Sequence, residues 1–183
     1  MERELIKGIK KKDSTSFEKL YNMYASYALR TAYIITKSRS MAADVVQETF
    51  VKVYQSIDGF DDSRPFKPYL YRILVNECYR IMKKNSKTLY LEDFPVYREE
   101  EKYYEDFDKE RYELLYKGIR MLNHKIRIPM VLKYLRGFKE KEIAEILDIN
   151  LNTLKSRLFK GRQKLREFLV ENGEGGSFDE YQS

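Results

Sequence analysis

The stretch GFKEKEIAEILDINLNTLKSRLFKGRQKLRE, Gly137 to Glu167, decides how the C-terminal half of the chain folds. Its apolar residues recur at spacings of three and four, which predicts two helices, Lys139 to Leu147 and Leu151 onward. Only Asp148 to Asn150 lie between them, so the connection is a short turn. Two helices joined in this way, the second of them basic, are typical of a helix-turn-helix.

The second of these helices carries charge of one sign. Between Leu151 and Arg166 there are six Lys or Arg residues and no Asp or Glu. An exposed helix gains stability from opposite charges four residues apart, and this helix forgoes that gain. The pattern therefore indicates a polyanionic partner such as DNA, and a solvated surface helix is the alternative interpretation.

The two sides of this helix differ in chemistry. Leu154, Leu158 and Leu165 share one side with Gly161, whose small size allows close packing. Thr153 lies where backbone N–H groups at the start of the helix would face a phosphate. The opposite side presents side chains that suit base edges and phosphates: Asn152, Lys155, Ser156, Phe159, Lys160, Gln163 and Arg166.

Composition limits what the rest of the chain is able to do. The chain has 183 residues and a formal net charge of +6, and 43% of its residues are hydrophobic. This length suits one medium domain or two small ones. One cysteine, Cys78, and one histidine, His124, cannot form an internal disulfide or a zinc finger. With no signal peptide and no membrane-spanning run in the sequence, the expected location is the cytoplasm.

Helical spacing, four prolines and eight glycines predict an all-helical protein. Three helices are expected in the first half: from about Ser16 to Thr36, from Met41 to about Ser56 with Ser40 as N-cap, and from near Phe66 to about Lys84. The segment DGFDDSRPFKP, Asp58 to Pro68, reads as an ordered loop between the second and third of them.

A second helical unit is predicted after an acidic segment. Between Glu92 and Glu110 there are nine acidic and three basic residues without a clean period, which is typical of a linker. Two helices then follow, one around Tyr112 to Leu122 and one from Ile126 to Leu135, the latter closed by Gly137. The glycine-rich and acidic tail is expected to be disordered.

The first unit carries its own nucleic-acid signal. Seven basic residues and one acid, Glu77, lie between Arg64 and Lys87. Four aromatic residues interleave with them, a combination that suits single-stranded or melted nucleic acid. The alternative is that these rings belong to the core. We favour that alternative for Phe66 and Tyr69 and leave it open for Tyr71 and Tyr79.

A third signal is acidic. The stretch MAADVVQETFVKVY places Asp44, Gln47 and Glu48 on one face of a helix. No histidine or further carboxylate converges with them, so acid–base or metal chemistry is disfavoured. The face is interpreted as a surface for docking another protein, with a solvated surface as the alternative.

Together, three motifs resemble the extracytoplasmic-function (ECF) group of bacterial sigma factors, in the sigma-70 family. They are DVVQETF (Asp44 to Phe50), FKPYLYRILVNECYRIMKK (Phe66 to Lys84) and the opening stretch, in the order that this family has. The resemblance covers most of Phe17 to Phe168. Tyr69 stands where the family often has Trp, and Asn152 stands in place of a Gly, which leaves the preferred promoter sequence open.

The resemblance implies a fold and a function. The fold would be all-α, with a sigma-2-like helical bundle (1–87), an acidic flexible linker (88–110), a sigma-4-like helix-turn-helix domain (111–170) and a disordered tail (171–183). The protein would not be an enzyme. It would bind core RNA polymerase, recognise the −35 and −10 promoter elements, and promote promoter melting and the initiation of transcription.

The resemblance also assigns residues to three surfaces. Core polymerase, through its clamp helices, would contact Asp44, Gln47, Glu48 and Val51. The −10 element would contact Phe60, Asp61, Asp62, Arg64, Asn76, Tyr79, Arg80 and Lys83, with the loop Asp58 to Pro65 as the pocket for a flipped base. The −35 element would contact Asn152, Thr153, Lys155, Ser156, Arg157, Phe159 and Lys160.

Partners follow from the same resemblance. The second unit would pack on the polymerase flap, and the usual regulator of the family is an anti-sigma protein, often membrane-anchored. No cofactor, metal or small-molecule substrate is expected. Two rival hypotheses are an autonomous DNA-binding regulator, for which no dimer interface or receiver domain is visible in the sequence, and an enzyme with a metal site in the acidic stretch Glu99 to Asp108.

Overall fold

The structure is a computed structural model and describes residues 1–85 and 109–172. The first stretch forms α1 (Glu2–Lys10), α2 (Ser14–Thr36), α3 (Arg39–Ser56) and α4 (Phe66–Asn85), with a 3-10 turn at Ile57–Gly59. The second stretch forms α5 (Lys109–Met121), α6 (His124–Met130), α7 (Glu140–Leu147) and α8 (Leu151–Glu171), and the π-helical segment Val131–Leu135 extends α6. The predicted all-α fold is confirmed. Most of the predicted linker and tail lies outside the described residues.

Helix α1 was not predicted from the sequence. Eight of the residues from Met1 to Asp13 are charged and mask a short apolar stripe, of which Ile6 and Ile9 are buried against α2. Asp13 caps the next helix, because its carboxylate accepts hydrogen bonds from the backbone N–H groups of Thr15 and Ser16. The first unit is therefore a bundle of four helices rather than three.

The start of α3 corrects a second prediction. Ser38, not Ser40, is the N-cap, because Ser38 has an extended backbone and its hydroxyl accepts a hydrogen bond from the N–H of Met41. From this cap α3 packs along α2 and α4. The large side chains buried in this bundle include Leu20, Ile35, Phe66, Leu70, Tyr71 and Leu74.

The helix-turn-helix forms as the sequence predicts. Asn150 caps α8 by accepting a hydrogen bond from the N–H of Thr153 at 2.7 Å. The buried stripe of α8 packs on α5, α6 and α7. Gly161 allows a close approach, since a Cβ at this position would lie 2.6 Å from the sulfur of Met130. At the other contact, a Cβ on Gly118 would lie 2.5 Å from Leu165 Cδ1.

The two units pack against each other through a buried arginine. Arg127, on α6, is only 5% exposed. One of its terminal nitrogens donates hydrogen bonds to the carbonyls of Arg120 and Leu122 at 3.0 and 2.8 Å. The other donates to the carbonyl of Ile35, near the end of α2, at 2.6 Å. Burial, with the nearby charge of Arg120, lowers the pKa of Arg127 to about 10.

A second set of contacts lies at the start of α7. The ring of Phe138 packs edge-on against Tyr71, with ring centroids 5.0 Å apart. Lys67 donates a hydrogen bond to the carbonyl of Arg136 at 2.9 Å, and Arg136 Nε donates to Thr31 Oγ1 at 2.6 Å. Tyr71 is 1% exposed. Of the two interpretations left open for this ring, the structure supports the core.

The close approach at Gly161 yields a test of the packing. We expect Gly161→Leu to destabilise the second unit by about 1–3 kcal/mol, because the added side chain must displace Met130 and Ile126. Lys164→Leu introduces the same side chain at an exposed position of the same helix and serves as the control. Thermal or urea unfolding measures both variants. Equal stability of the two variants would contradict the packing described here.

Candidate functional site

The face of α8 opposite its buried stripe is exposed. Five of the residues predicted to contact the −35 element are exposed: Asn152, Lys155, Ser156, Phe159 and Lys160. Phe159 is 54% exposed, an unusual position for a large aromatic ring. Arg157 and Thr153 are half-buried, and the N–H of Thr153 is already taken by the cap on Asn150. That N–H is therefore engaged within the protein, and the assignment of Thr153 to the −35 surface stays a prediction.

A lysine-rich cavity beside this face was missed in the sequence analysis. It lies between the start of α7 and the start of α8 and is lined by Lys133, Lys139, Glu140, Lys141, Glu142, Leu151 and Lys155. Both glutamate carboxylates already have partners within the protein. Glu140 lies 3.9 Å from the Lys133 ammonium, and Glu142 accepts a hydrogen bond from the N–H of Lys139. Sequence spacing within one helix does not reveal such a site, since two helices build it.

The acidic face of α3 is also exposed, and it borders an apolar groove. Asp44, Gln47, Glu48 and Val51 are all exposed. Gln47 and Val51 line a cavity of about 920 Å³ between α2 and α3. A polar rim around an exposed apolar surface is typical of a protein-binding site.

Aromatic rings form much of this groove. Tyr21 packs on Phe50 with ring centroids 4.7 Å apart, and Phe17 packs on Tyr54 at 5.3 Å. Phe17, Leu20, Tyr21 and Tyr24 recur at spacings of three and four along α2, an apolar stripe that periodicity alone predicts to be buried. Tyr21 is instead 40% exposed, so part of that stripe belongs to the groove.

A buried carboxylate links the α3 face to α4. Glu77 is only 2% exposed, and its two oxygens accept hydrogen bonds from Lys52 at 2.5 Å and from Arg80 at 2.6 Å. Arg80 also lies 3.7 Å from Glu48. Two residues predicted for different surfaces, Arg80 and Glu48, therefore belong to one ion-pair network.

One of the predicted −10 residues on α4, Tyr79, contacts the second unit. Asn76, Arg80 and Lys83 are exposed. Tyr79 is half-buried, and its ring packs edge-on against His124 at 5.9 Å. Burial raises the pKa of Tyr79, and the nearby charge of Arg157 opposes this shift. In this arrangement the second unit therefore covers part of the surface that Tyr79 belongs to.

The loop between α3 and α4 is ordered by local contacts. Phe60 is 7% exposed, and its ring packs against Tyr69 and Phe66 at 4.7 and 5.7 Å. Its side chain thus supports the loop from within instead of lying on the surface. Asp61 accepts a hydrogen bond from the N–H of Ser63, and hydrogen bonds from Ser63 lower the pKa of Asp61. Asp61, Ser63 and Arg64 are exposed.

Residues 1–85 and 109–172 contain no cluster of His, Cys, Asp and Glu side chains arranged to hold a metal ion. The hypothetical metal site at Glu99 to Asp108 lies outside them. In the same ranges no helix is both long enough and apolar enough to span a bilayer.

Comparison with known proteins gives two matches to family models and several full-length relatives. Residues 20–88 match Sigma-70 region 2, and residues 112–165 match Sigma-70 region 4. The ECF RNA polymerase sigma factor SigW of Bacillus subtilis is 30% identical over 181 residues, which span 92% of this chain and 97% of SigW. The ECF RNA polymerase sigma-E factor of Haemophilus influenzae is 28% identical and spans 90% of this chain and 93% of its own length.

Two solved structures have a similar fold. The sigma factor RpoE of Bartonella quintana, solved in complex with the anti-sigma factor NepR, superposes with a TM-score of 0.68 at 25% identity and covers 84% of this chain and 96% of its own. CnrH, solved in complex with the cytosolic domain of CnrY, gives a TM-score of 0.69 at 22% identity, with 94% and 99% covered.

The environment of Glu77 predicts a pH dependence. Burial acts to raise the pKa of Glu77, but the hydrogen bonds from Lys52 and Arg80 outweigh it, and the pKa is lower than usual. A carboxylate whose pKa is depressed by folding stabilises the protein at pH values above its unfolded pKa, and this contribution is lost as the pH falls through the folded value.

We therefore expect Glu77→Gln to lower the free energy of unfolding at pH 7 by about 1–2 kcal/mol. Because acid protonates the wild-type carboxylate, the difference between the two proteins should shrink below about pH 4. Urea unfolding at pH 7, 5 and 3.5 measures it. A difference that stays constant across this range would show that the charge of Glu77 is not what stabilises the fold.

Proposed function

The chain belongs to the ECF sigma factors of the sigma-70 family, and we propose that it binds core RNA polymerase and both promoter elements through separate surfaces on α3, α4 and α8. It is an initiation factor for transcription, not an enzyme. The observation that carries the proposed division of labour is the exposed face of α8. Helix α8 carries six basic residues and no acid from Leu151 to Arg166, of which Lys155, Lys160 and Arg166 lie on this face. The face lies on a different unit from the exposed acidic face of α3.

Core polymerase is proposed to bind the acidic face of α3 together with the neighbouring groove. Asp44 and Glu48 would supply charge, and Gln47 and Val51 would contact the clamp helices at the rim. The aromatic groove adds apolar area, which is what stabilises most protein interfaces. Tyr21 and Tyr54 are therefore added to the residues proposed from the sequence.

The −35 element is proposed to bind α8 in its major groove. Short polar side chains near the start of the helix, Asn152 and Ser156, would reach base edges, while Lys155 and Lys160 would reach phosphates. Thr153, Arg157 and Phe159 complete this surface. Lys139 and Lys141, in the cavity beside α8, are placed to bind the adjoining phosphate backbone.

The −10 element is proposed to bind α4 and the loop before it. Asn76, Tyr79, Arg80 and Lys83 would hold the non-template strand. The loop, with Asp61, Asp62 and Arg64 supported by the buried Phe60, would capture an extruded base. Extruding a base costs a few kcal/mol, so a pocket that accepts only the extruded base couples recognition to melting.

Engaging both elements requires the two units to separate. The centres of the −35 and −10 elements are about 25 base pairs apart, which is about 85 Å of B-DNA at ~3.4 Å per base pair. In the structure, however, side chains of the two units are in direct contact, as between Tyr79 and His124. The packed arrangement is therefore proposed to be the unbound form of the chain, and its contacts must break when the promoter binds.

Domain limits, location and regulation are part of the same proposal. We assign 1–87 to the sigma-2 domain, 88–110 to the linker, 111–170 to the sigma-4 domain, which would pack on the polymerase flap, and 171–183 to the tail. The chain would act in the cytoplasm, where core polymerase is found. The RpoE structure from Bartonella quintana was solved with an anti-sigma factor, which supports control of this chain by an anti-sigma protein.

In vitro transcription tests the proposal as a whole. Core polymerase is supplied with a promoter library in the presence and absence of the chain, and the transcripts are sequenced. We expect a set of promoters with shared −35 and −10 sequences to become active only when the chain is added. Failure to activate any promoter, combined with tight binding of the free chain to duplex DNA, would favour an autonomous DNA-binding regulator instead.

Two charge reversals separate the proposed surfaces. Lys155→Glu should abolish binding to the −35 element, because it places an acid against phosphate, and should leave binding to core polymerase unchanged. Asp44→Lys should do the reverse. Asp44 is preferred to Glu48 because Glu48 lies 3.7 Å from Arg80, so its replacement would also disturb α4.

Core binding is measured by pull-down. Binding to the −35 element is measured by electrophoretic shift of the free chain at low ionic strength on a duplex that contains only that element, because a variant that does not bind core polymerase forms no holoenzyme. Lys164→Glu makes the same change of charge at an exposed position of α8 outside the proposed DNA face and serves as the control for a general charge effect. Equal defects of Lys155→Glu and Asp44→Lys in both assays would contradict the division of labour.

A further inference from the structure

The loop proposed to capture the extruded base is acidic, although its ligand is a polyanion. Three of its residues, Asp58, Asp61 and Asp62, are carboxylates. Such groups suit the amino groups of bases, to which Asp accepts hydrogen bonds, but they repel phosphates. For the loop to bind DNA, their charge must be offset from within the protein.

Each of these three carboxylates has a cationic neighbour. Arg64, within the loop, lies 3.6 Å from Asp61. The other two cations come from the N-terminal segment: Lys12 lies 2.9 Å from Asp58, and Lys10 lies 2.6 Å from Asp62. The N-terminal segment therefore supplies most of the compensating charge. Lys10 is the less exposed of its two lysines, at 26% against 55%.

Lys10 also fixes the backbone of the loop. Its ammonium donates one hydrogen bond to the carboxylate of Asp62 and another to the carbonyl of Phe60, both at 2.6 Å. It thus bridges two residues that flank Asp61. The Phe60 ring packs on Phe66 and Tyr69, while Lys10 binds the Phe60 carbonyl and the Asp62 carboxylate. Both neighbours of Asp61 are therefore fixed in position, which restricts the position of Asp61 itself.

Helix α1 is rigidly placed, so Lys10 provides a firm support. Ile6 and Ile9 are almost completely buried beneath it. Gly8 lies so close to Ser16 that a Cβ would clash, and the turn after the helix is closed by a hydrogen bond from the N–H of Asp13 to the carbonyl of Gly8 at 3.0 Å. The position of Lys10 is therefore set by packing and not by its ion pair alone.

We propose that Lys10 is a positioning residue for base recognition: it holds Phe60–Asp62 in the geometry that receives the extruded base and offsets the charge of Asp62 beside the DNA backbone. This inference rests on the proposed function of the loop. It adds helix α1, which does not belong to the proposed DNA surfaces, to the determinants of −10 specificity.

The test compares Lys10→Met with Lys7→Met in the holoenzyme. Lys7 lies on the same helix but is exposed and pairs only with Glu4 among the contacts described. The probe is an active promoter fragment whose −10 element is held open by mismatches, with each non-template base varied in turn. The readout is the ratio of the Kd for the least and the most preferred base at each position. Core binding and −35 binding are measured in parallel.

We expect Lys10→Met to reduce the discrimination ratio at one −10 position about tenfold, the size expected for loss of a charge-assisted hydrogen bond. Lys7→Met should keep the wild-type ratio, Lys10→Arg should restore part of it, and core and −35 binding should be unchanged. A purely stabilising role for Lys10 would lower the Tm without altering base preference, and that result overturns the inference.

Failure of the inference and failure of the proposed function are distinguishable. If wild type prefers one base and Lys10→Met keeps the same ratio, the role of Lys10 is wrong and the loop remains the pocket. If wild type shows no preference at any −10 position, the proposed function of the loop itself is wrong. Should Lys10→Met not fold, Lys10→Gln, which keeps an amide donor, carries the same comparison.

Discussion

The packed form of this sigma factor depends on a buried cation that has no carboxylate partner among the described residues. Arg127 is 5% exposed and is bonded to three backbone carbonyls, one of them near the C-terminal end of α2. Carbonyls at a helix C-terminus carry partial negative charge, which offsets part of the cost of removing a guanidinium from water. Within residues 1–85 and 109–172 its Nε has no hydrogen-bond partner. The three hydrogen bonds fix the geometry of the contact, but removing the Arg127 guanidinium from water costs free energy. This cost keeps the net stability of the interface low, as expected for an interface that must open.

Helix α4 is in contact with the second unit, carries the proposed −10 residues and is tied by an ion-pair network to the proposed polymerase-binding face of α3. One face fills the core of the first unit with Leu70 and Leu74, and Tyr71 packs on Phe138 of the second unit. Its remaining side carries the proposed −10 residues, and Glu77 ties this side to α3. The proposed movement of the second unit and the proposed binding of polymerase to α3 would therefore both act on the helix that is proposed to hold the melted strand.

How much of this was predictable depends on whether a feature lies within one helix or between two. The stripe of α8 with Gly161, the turn at Asp148 to Asn150 and the loop before α4 are local patterns, and the sequence predicts them correctly. Helix α1 was missed because its charges hide Ile6 and Ile9. Ser40 was chosen as a cap because periodicity alone does not distinguish it from Ser38. Tyr71 was ambiguous and the aromatic groove was missed, because the partners of these rings lie on other helices, far away in the sequence.

The central claim is that the packed chain opens to reach both promoter elements, and a distance measurement tests it most directly. Spin labels are attached to Arg72→Cys on α4 and Lys164→Cys on α8, both at exposed positions, while the native Cys78 is fully buried. We expect a short and narrow distance distribution in the free chain, and a distance longer by roughly tens of ångströms in the complex with core polymerase and promoter DNA. The same short distance in both states, or a long and broad distribution in the free chain, would contradict the account.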